Sequence, residues 1–185
     1  MQDYHEFLDE ILISEESLKA RIAELGAEIS RDYQGKSLHL ICILRGGVLF
    51  LADLMRFITI PNTIDFMAVS SYGIGARQTT GQVRISLDLK EDIHDREVLL
   101  VEDIVDSGYT IASVLEILET RHPKSLRVCT LLNKASRREV EVPIDYCGFT
   151  IPDKFVFGYG LDIDELYRNL PFIGSVNPDR YQPLD

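Results

Sequence analysis

The sequence predicts an α/β domain with a mostly parallel central sheet flanked by helices. Three observations carry that expectation. Strand-length apolar runs alternate with segments whose apolar residues recur at helical spacing, the pattern of βαβ units. The strand runs are apolar at consecutive positions, as strands covered on both faces are. The length, 185 residues, suits one domain and is enough to bury a core without disulfides or a structural metal.

The elements follow in order. Ser14, followed by Glu15 and Glu16, is an N-cap with first-turn acids. Leu18, Ile22, Leu25 and Ile29 then mark an amphipathic helix over 15–32. Residues 37–44 (SLHLICIL) read as a buried strand that breaks at Arg45-Gly46-Gly47, and the helical pattern VLFLADLMRF follows. Residues 63–71 (TIDFMAVSS) are a further strand. Residues 72–82 hold three glycines and no large aliphatic beyond Ile74, so they read as a loop, and residues 83–87 are a short strand. Residues 98–101 form an apolar strand ending in Glu102-Asp103, and residues 110–119 a helix. Residues 126–132 (LRVCTLL) are another strand. The tail FTIPDKFVFGYGLD mixes short strands and turns, and DELYRNL is expected to be a short helix.

Composition excludes several function classes. Hydrophobic residues at 45% and charged residues at 26% are globular values and exclude a disordered chain. A net charge of -11, from 30 acids and 19 bases, argues against nucleic acid and anionic membrane surfaces as partners. No apolar stretch reaches the ~18 residues of a membrane span, and no cationic start precedes an apolar run, which predicts no signal peptide. Cys42, Cys129 and Cys147 are odd in number with no C-x-x-C pair, and read as reduced thiols of a cytoplasmic protein. The four histidines (His5, His39, His94, His122) lack metal-ligand spacing and are expected at the surface or an edge.

The segment that carries chemistry is VLLVEDIVDSGYT, residues 98–110: a buried strand, two acids, a tight loop with Gly108, then a helix. In open α/β sheets ligands sit at the carboxyl ends of strands, and a helix N-terminus there offers free N–H groups to a phosphate. Gly108 permits close backbone approach, and Ser107 and Thr110 add hydroxyls. There is no Walker A lysine and no G-x-G-x-x-G. Two adjacent carboxylates make sense beside a phosphate cradle if they accept hydrogen bonds from a diol, so the ligand implied is a ribose 5-phosphate.

This segment resembles the 5-phosphoribosyl-1-pyrophosphate (PRPP) motif of the type I phosphoribosyltransferases, and the rest of the chain resembles their hypoxanthine(-guanine) branch. LRGG at 44–47 is similar to the pyrophosphate loop, SSYG at 70–73 with its following TTG to the mobile lid, and LLNKASRR at 131–138 to the purine-selecting strand end. IPDKFVFGYGLD at 151–162 and YRNLPFIG at 167–174 are similar to the base-stacking and pyrophosphate-contact segments. The match runs from about residue 11 to 176, in family order.

The resemblance implies the type I phosphoribosyltransferase fold, one domain over 1–185, with a small hood drawn partly from 1–15 and 145–185. It implies Mg²⁺ as cofactor, and PRPP and a 6-oxopurine base as ligands. Glu102 and Asp103 would hold the ribose hydroxyls or their magnesium. The backbone from Asp106 through Ser107, Gly108 and Tyr109 to Thr110 would hold the 5-phosphate. Asp106 would face purine N7 as general base, or only orient the base. Lys134 would donate to purine O6, Phe155 and Ile104 would sandwich the ring, and the Val156 carbonyl would face the edge near C2, which does not rank hypoxanthine against guanine or xanthine. Asp162 would bind the magnesium on pyrophosphate. Arg168, with the backbone of Leu44, Arg45 and Gly46, would hold pyrophosphate, and the bond before Arg45 can be cis in similar enzymes. Ser71 and Tyr72 would close as the lid. Arg45 stands where some relatives carry Lys, and Tyr109 where they often carry Lys or Asn. Relatives form dimers or tetramers, so a homodimer or homotetramer is expected.

Two other functions share parts of this pattern. A PRPP-sensing RNA-binding regulator of the same fold would need a basic face, and Arg137-Arg138 is the only adjacent basic pair. A non-catalytic signalling domain would need neither the lid nor the LRGG loop.

Overall fold

Each apolar run becomes a strand of one sheet. The structure, a computed structural model, describes residues 2–71 and 83–183. In chain order it holds α1 (Tyr4–Phe7), β1 (Leu8–Ile13), α2 (Glu15–Asp32), β2 (Leu38–Leu44), α3 (Val48–Phe57), β3 (Asn62–Ser71), β4 (Val83–Leu87), β5 (Glu97–Val105) and α4 (Tyr109–Glu119). There follow β6 (Ser125–Asn133), a 3₁₀ turn (Ala135–Arg137), β7 (Tyr146–Thr150), β8 (Val156–Phe157) and β9 (Ile173–Val176). The main sheet has the order β4-β3-β2-β5-β6-β7 and is parallel except for the β3–β4 pair.

Strand alternation divides the core into two layers. Leu40, Cys42, Leu99, Val101, Cys129 and Leu131 face α2 and α3. Ile41, Ile43, Val98, Leu100 and Val128 face the other way, onto Ile111, Val114, Leu115 and Leu118 of α4. On α2, the predicted stripe of Leu18, Ile22, Leu25 and Ile29 is buried, and the Ser14 hydroxyl accepts the Ser17 N–H at 3.2 Å, as an N-cap does. Helix α3 leaves β2 on one face of the sheet and α4 leaves β5 on the other. The chain order therefore reverses between β2 and β5, and their carboxyl ends frame a crevice.

A second, antiparallel sheet, β1-β9-β8, is built from both ends of the chain. Phe7, Phe157, Ile163, Tyr167 and Val176 fill its core. The Phe7 ring lies 5.3 Å from those of both Phe157 and Tyr167. The cysteines are free, with Cys42 and Cys129 buried. Among the described residues no helix is long and apolar enough to cross a membrane.

Several expectations are corrected. DELYRNL is not a helix: Asp164, Glu165 and Tyr167 take positive φ, and the segment folds into turns closed by Ile163–Leu166 pairing. Those turns deliver Ile163 and Tyr167 to the small core, which a helix stripe would not do. His39 is fully buried rather than at a surface, with Nδ1 2.8 Å from the Thr63 hydroxyl, and burial pushes its pKa down. β5 does not end in its acids but continues past them to Val105, because its ladder to β6 is made by backbone groups and runs on to Val105–Asn133. β1 and β7 are strands that the apolar pattern does not mark.

Candidate active site

The last residues of β5 place Glu102 and Asp103 in the crevice. Glu102 is buried, and its Oε1 has no hydrogen-bond partner. Burial, and then the adjoining Asp103 charge, hold its carboxyl well above the usual range. Asp103 is closely surrounded, and desolvation pushes its carboxyl up to about 6 against the N–H of Ile104 and the charge of Arg168. A Cβ on Gly46 would collide with the Asp103 carboxylate as it stands, so a side chain there would have to displace that carboxylate. The peptide bond between Leu44 and Arg45 is cis.

Beyond Val105 the chain turns through Asp106 and Ser107 to Gly108, whose φ of 95° is left-handed. A side chain at Gly108 would also strike the Val140 carbonyl. Gly108 caps α4 without any side-chain hydrogen bond, so the first N–H groups of the helix stay available. The Ser107 carbonyl accepts the N–H groups of Glu139 and Val140, at 2.9 and 3.0 Å, which fixes the loop from behind. Residues 102–108 with Thr110 and Ile111 line a cleft of about 280 Å³.

Lys134, at the end of β6, is almost wholly buried, and its Nζ is 3.5 Å from Asp106 Oδ2. Asp162 and Arg168 pair at 2.8 Å. The Asp162 Oδ2 accepts the Glu165 N–H at 2.9 Å, and Arg168 Nη1 donates to the Gly160 carbonyl at 2.8 Å. A Cβ on Gly160 would in turn meet the Gly46 carbonyl, so the hood segment rests on the turn after β2.

The predicted residues thus fall into adjoining groups. Glu102, Asp103, Ile104, Asp106, Ser107, Gly108 and Thr110 line one cleft, with Tyr109 opening the helix beside them. Gly46 abuts Asp103, with Leu44 and Arg45 just before it in the chain, and Lys134 reaches the cleft through Asp106. Arg168 joins through its charge on Asp103. Val156 is buried in β8. Phe155 is 58% exposed and lines a separate hollow of about 590 Å³ with Tyr181 and Pro183, outside the β5 cleft. Ser71 ends β3, and Tyr72 lies outside the described residues.

A family model described as phosphoribosyl transferase domain matches residues 9–164. The chain belongs to this phosphoribosyltransferase family. Among curated phosphoribosyltransferases it is 53% identical over 169 residues to the hypoxanthine phosphoribosyltransferase of Salmonella typhimurium, covering 90% of this chain and 94% of the relative. It is 52% identical over 178 residues to the hypoxanthine-guanine phosphoribosyltransferase of Mycobacterium avium, covering 93% and 87%. A crystal structure of a Staphylococcus aureus hypoxanthine phosphoribosyltransferase matches with a TM-score of 0.93 at 45% identity, over 97% of each chain. The type I phosphoribosyltransferase fold expected from the motifs is the fold observed.

Beside this cleft stand two further residues to which no motif assigns a role. Glu165 Oε2 lies 2.6 Å from Arg45 and 3.0 Å from Arg168. Arg137 reaches Asp106 and Asp153, both at 3.6 Å. Their signal was a spacing of three, Glu165 to Arg168 and Lys134 to Arg137, which says nothing until the local turns are known.

Proposed function

We infer that this chain transfers the 5-phosphoribosyl group of PRPP to N9 of hypoxanthine, giving IMP and pyrophosphate, a purine-salvage reaction; we propose guanine as a second acceptor. The carrying observation is the end of β5, where a carboxylate pair, Glu102 buried and Asp103 partly so, is followed five residues on by a left-handed glycine and a helix N-terminus with no side-chain cap. That sequence of groups suits a ribose diol and then its 5-phosphate.

The reacting C1 becomes oxocarbenium-like as pyrophosphate leaves, so fixed charge and exclusion of water count for more than covalent help. Glu102 and Asp103 accept from the ribose hydroxyls or hold their magnesium, and the N–H groups from Asp106 to Thr110 bind the 5-phosphate. Asp106 faces N7 and takes or orients its proton. Lys134 donates to O6, a charge-assisted bond of about 1.5–3 kcal/mol that an amino group at that position cannot accept. Ile104 from the cleft and the exposed Phe155 from the hood segment would bracket the ring when the base binds, and the Val156 carbonyl would meet the C2 edge. Arg168 and the Leu44-Arg45-Gly46 backbone take the pyrophosphate. Ser71 and Tyr72 close over it.

Magnesium fits the donor set. Glu102 has a buried carboxylate oxygen without a partner, and Asp103 and Asp162 offer further hard oxygens. Glu102 and Asp103 would hold it at the ribose hydroxyls and Asp162 at the pyrophosphate, with ligand oxygens completing each shell, since among the described residues no three such side chains form a metal-holding group by themselves; it would supply positive charge against the departing pyrophosphate. Three free cysteines suit a reducing cytoplasm, where we place the protein. We further propose one domain over the whole chain and a homodimer or homotetramer, to be read from light scattering.

The deciding assay is PRPP- and Mg²⁺-dependent nucleotide formation from hypoxanthine, guanine, xanthine and adenine. IMP is expected and AMP is not. Absence of product from both hypoxanthine and guanine overturns the reading.

A further inference from the structure

The 3₁₀ turn after β6 carries a cation to which the reaction as described gives no task. In the segment Lys134-Ala135-Ser136-Arg137 the Arg137 N–H donates to the Lys134 carbonyl at 3.0 Å. Lys134 caps the turn and Arg137 ends it, which brings the two cations to the same neighbour. Both reach Asp106, Lys134 at Oδ2 (3.5 Å) and Arg137 Nε at Oδ1 (3.6 Å). Asp106 Oδ1 is shut off from solvent yet has no hydrogen-bond partner, so a small closing movement of the guanidinium would complete a bond. The other end of Arg137 is tethered, with Nη1 3.6 Å from Asp153 Oδ2. Asp153 stands two residues before Phe155, in the segment assigned to the purine.

We propose that Arg137 is a positioning residue for Asp106. Its guanidinium holds one carboxylate oxygen and leaves the other for the purine. The inference rests on the reading of Asp106 as the group that faces N7. Under that reading Lys134 turns its hydrogen bond to purine O6 when the base binds. Asp106 then keeps only the cation that the substrate does not recruit. Arginine suits the task because its forked donors can serve Asp106 and Asp153 together, and lysine's single ammonium cannot match that geometry.

The test is steady-state kinetics on the full chain with hypoxanthine and PRPP, comparing wild type, Arg137→Ala, Arg137→Lys, Asp106→Asn and the double variant Arg137→Ala/Asp106→Asn. Contacting residues couple measurably, so Arg137→Ala is expected to lower kcat by about threefold to tenfold. KM for PRPP should hold, and Arg137→Lys should recover part of the loss. In the Asp106→Asn background the Arg137→Ala change should cost nothing further, because its effect runs through that carboxylate. A wild-type kcat for Arg137→Ala, or an equal loss with and without Asp106, overturns the proposal while the reading of Asp106 stands. Full turnover in Asp106→Asn itself removes that reading and the proposal with it.

Discussion

Asp65 shows how a buried carboxylate can be structural where Asp103 is proposed to be functional. It sits in β3 and accepts the N–H groups of Phe66, Lys90 and Glu91 at 2.8, 2.8 and 2.9 Å. Burial pushes its pKa up, but those three donors together win and hold it below the usual range. Its ionised form therefore stabilises the fold above the unfolded-state value of about 3.9, and that contribution is lost as pH falls through the lower folded value. Asp65→Asn should be less stable than wild type by about 1–2 kcal/mol at neutral pH. The gap between their urea midpoints should narrow towards pH 3, and a constant gap would refute the assignment. At Lys134 the expectation concerns ligands. Lys134→Ala should weaken hypoxanthine binding by about tenfold or more, from the loss of a charge-assisted bond, with PRPP affinity unchanged in calorimetry. Lys134 and Asp106 were legible because strand ends and the acid pair carry a fixed motif. Arg137 was not, since its contact depends on a 3₁₀ turn that apolar spacing does not reveal.

Elements differ in how plainly they show in the chain. α2, β2, α3 and α4 are marked by long periodic or unbroken apolar patterns because they border the large core. β1 is short and half exposed, and it exists by pairing with β9 from the far end of the chain, so its own residues say little. The turns at 163–167 rest on positive φ at non-glycine residues, which composition does not signal. The α2–α3 contact offers a clear test. A Cβ on Gly26 would collide with Phe57, so Gly26→Ala should force the helices apart and cost about 1–3 kcal/mol, seen as a lower Tm. At α4, Gly108→Ala meets both a left-handed backbone and the Val140 carbonyl. PRPP affinity should fall by about tenfold or more, and an unchanged affinity would mean the phosphate lies elsewhere.

For the whole molecule the hood is the critical assembly. The Asn177 N–H donates to the Phe7 carbonyl at 2.8 Å, and the Gln182 N–H to the Gln2 side chain at 3.1 Å, so the two ends of the chain tie each other down. Phe7→Ala removes a fully buried ring from the small core and should cost about 3–5 kcal/mol. If the hood carries the purine contacts, that variant should raise KM for hypoxanthine more than KM for PRPP. The strong net negative charge turns out compatible with an anionic substrate, since the proposed contacts are backbone N–H groups and a few arginines rather than a basic surface. The unbroken run of β5 has a further consequence. Glu102–Thr130, Ile104–Leu132 and Val105–Asn133 continue the same backbone ladder that joins Val98 to Leu126 in the core. The floor of the cleft therefore opens to solvent exchange only when the central sheet does. Its amide protons should count among the slowest to be replaced by deuterium, with or without ligand, while those opening α4 should slow only when a phosphate is bound.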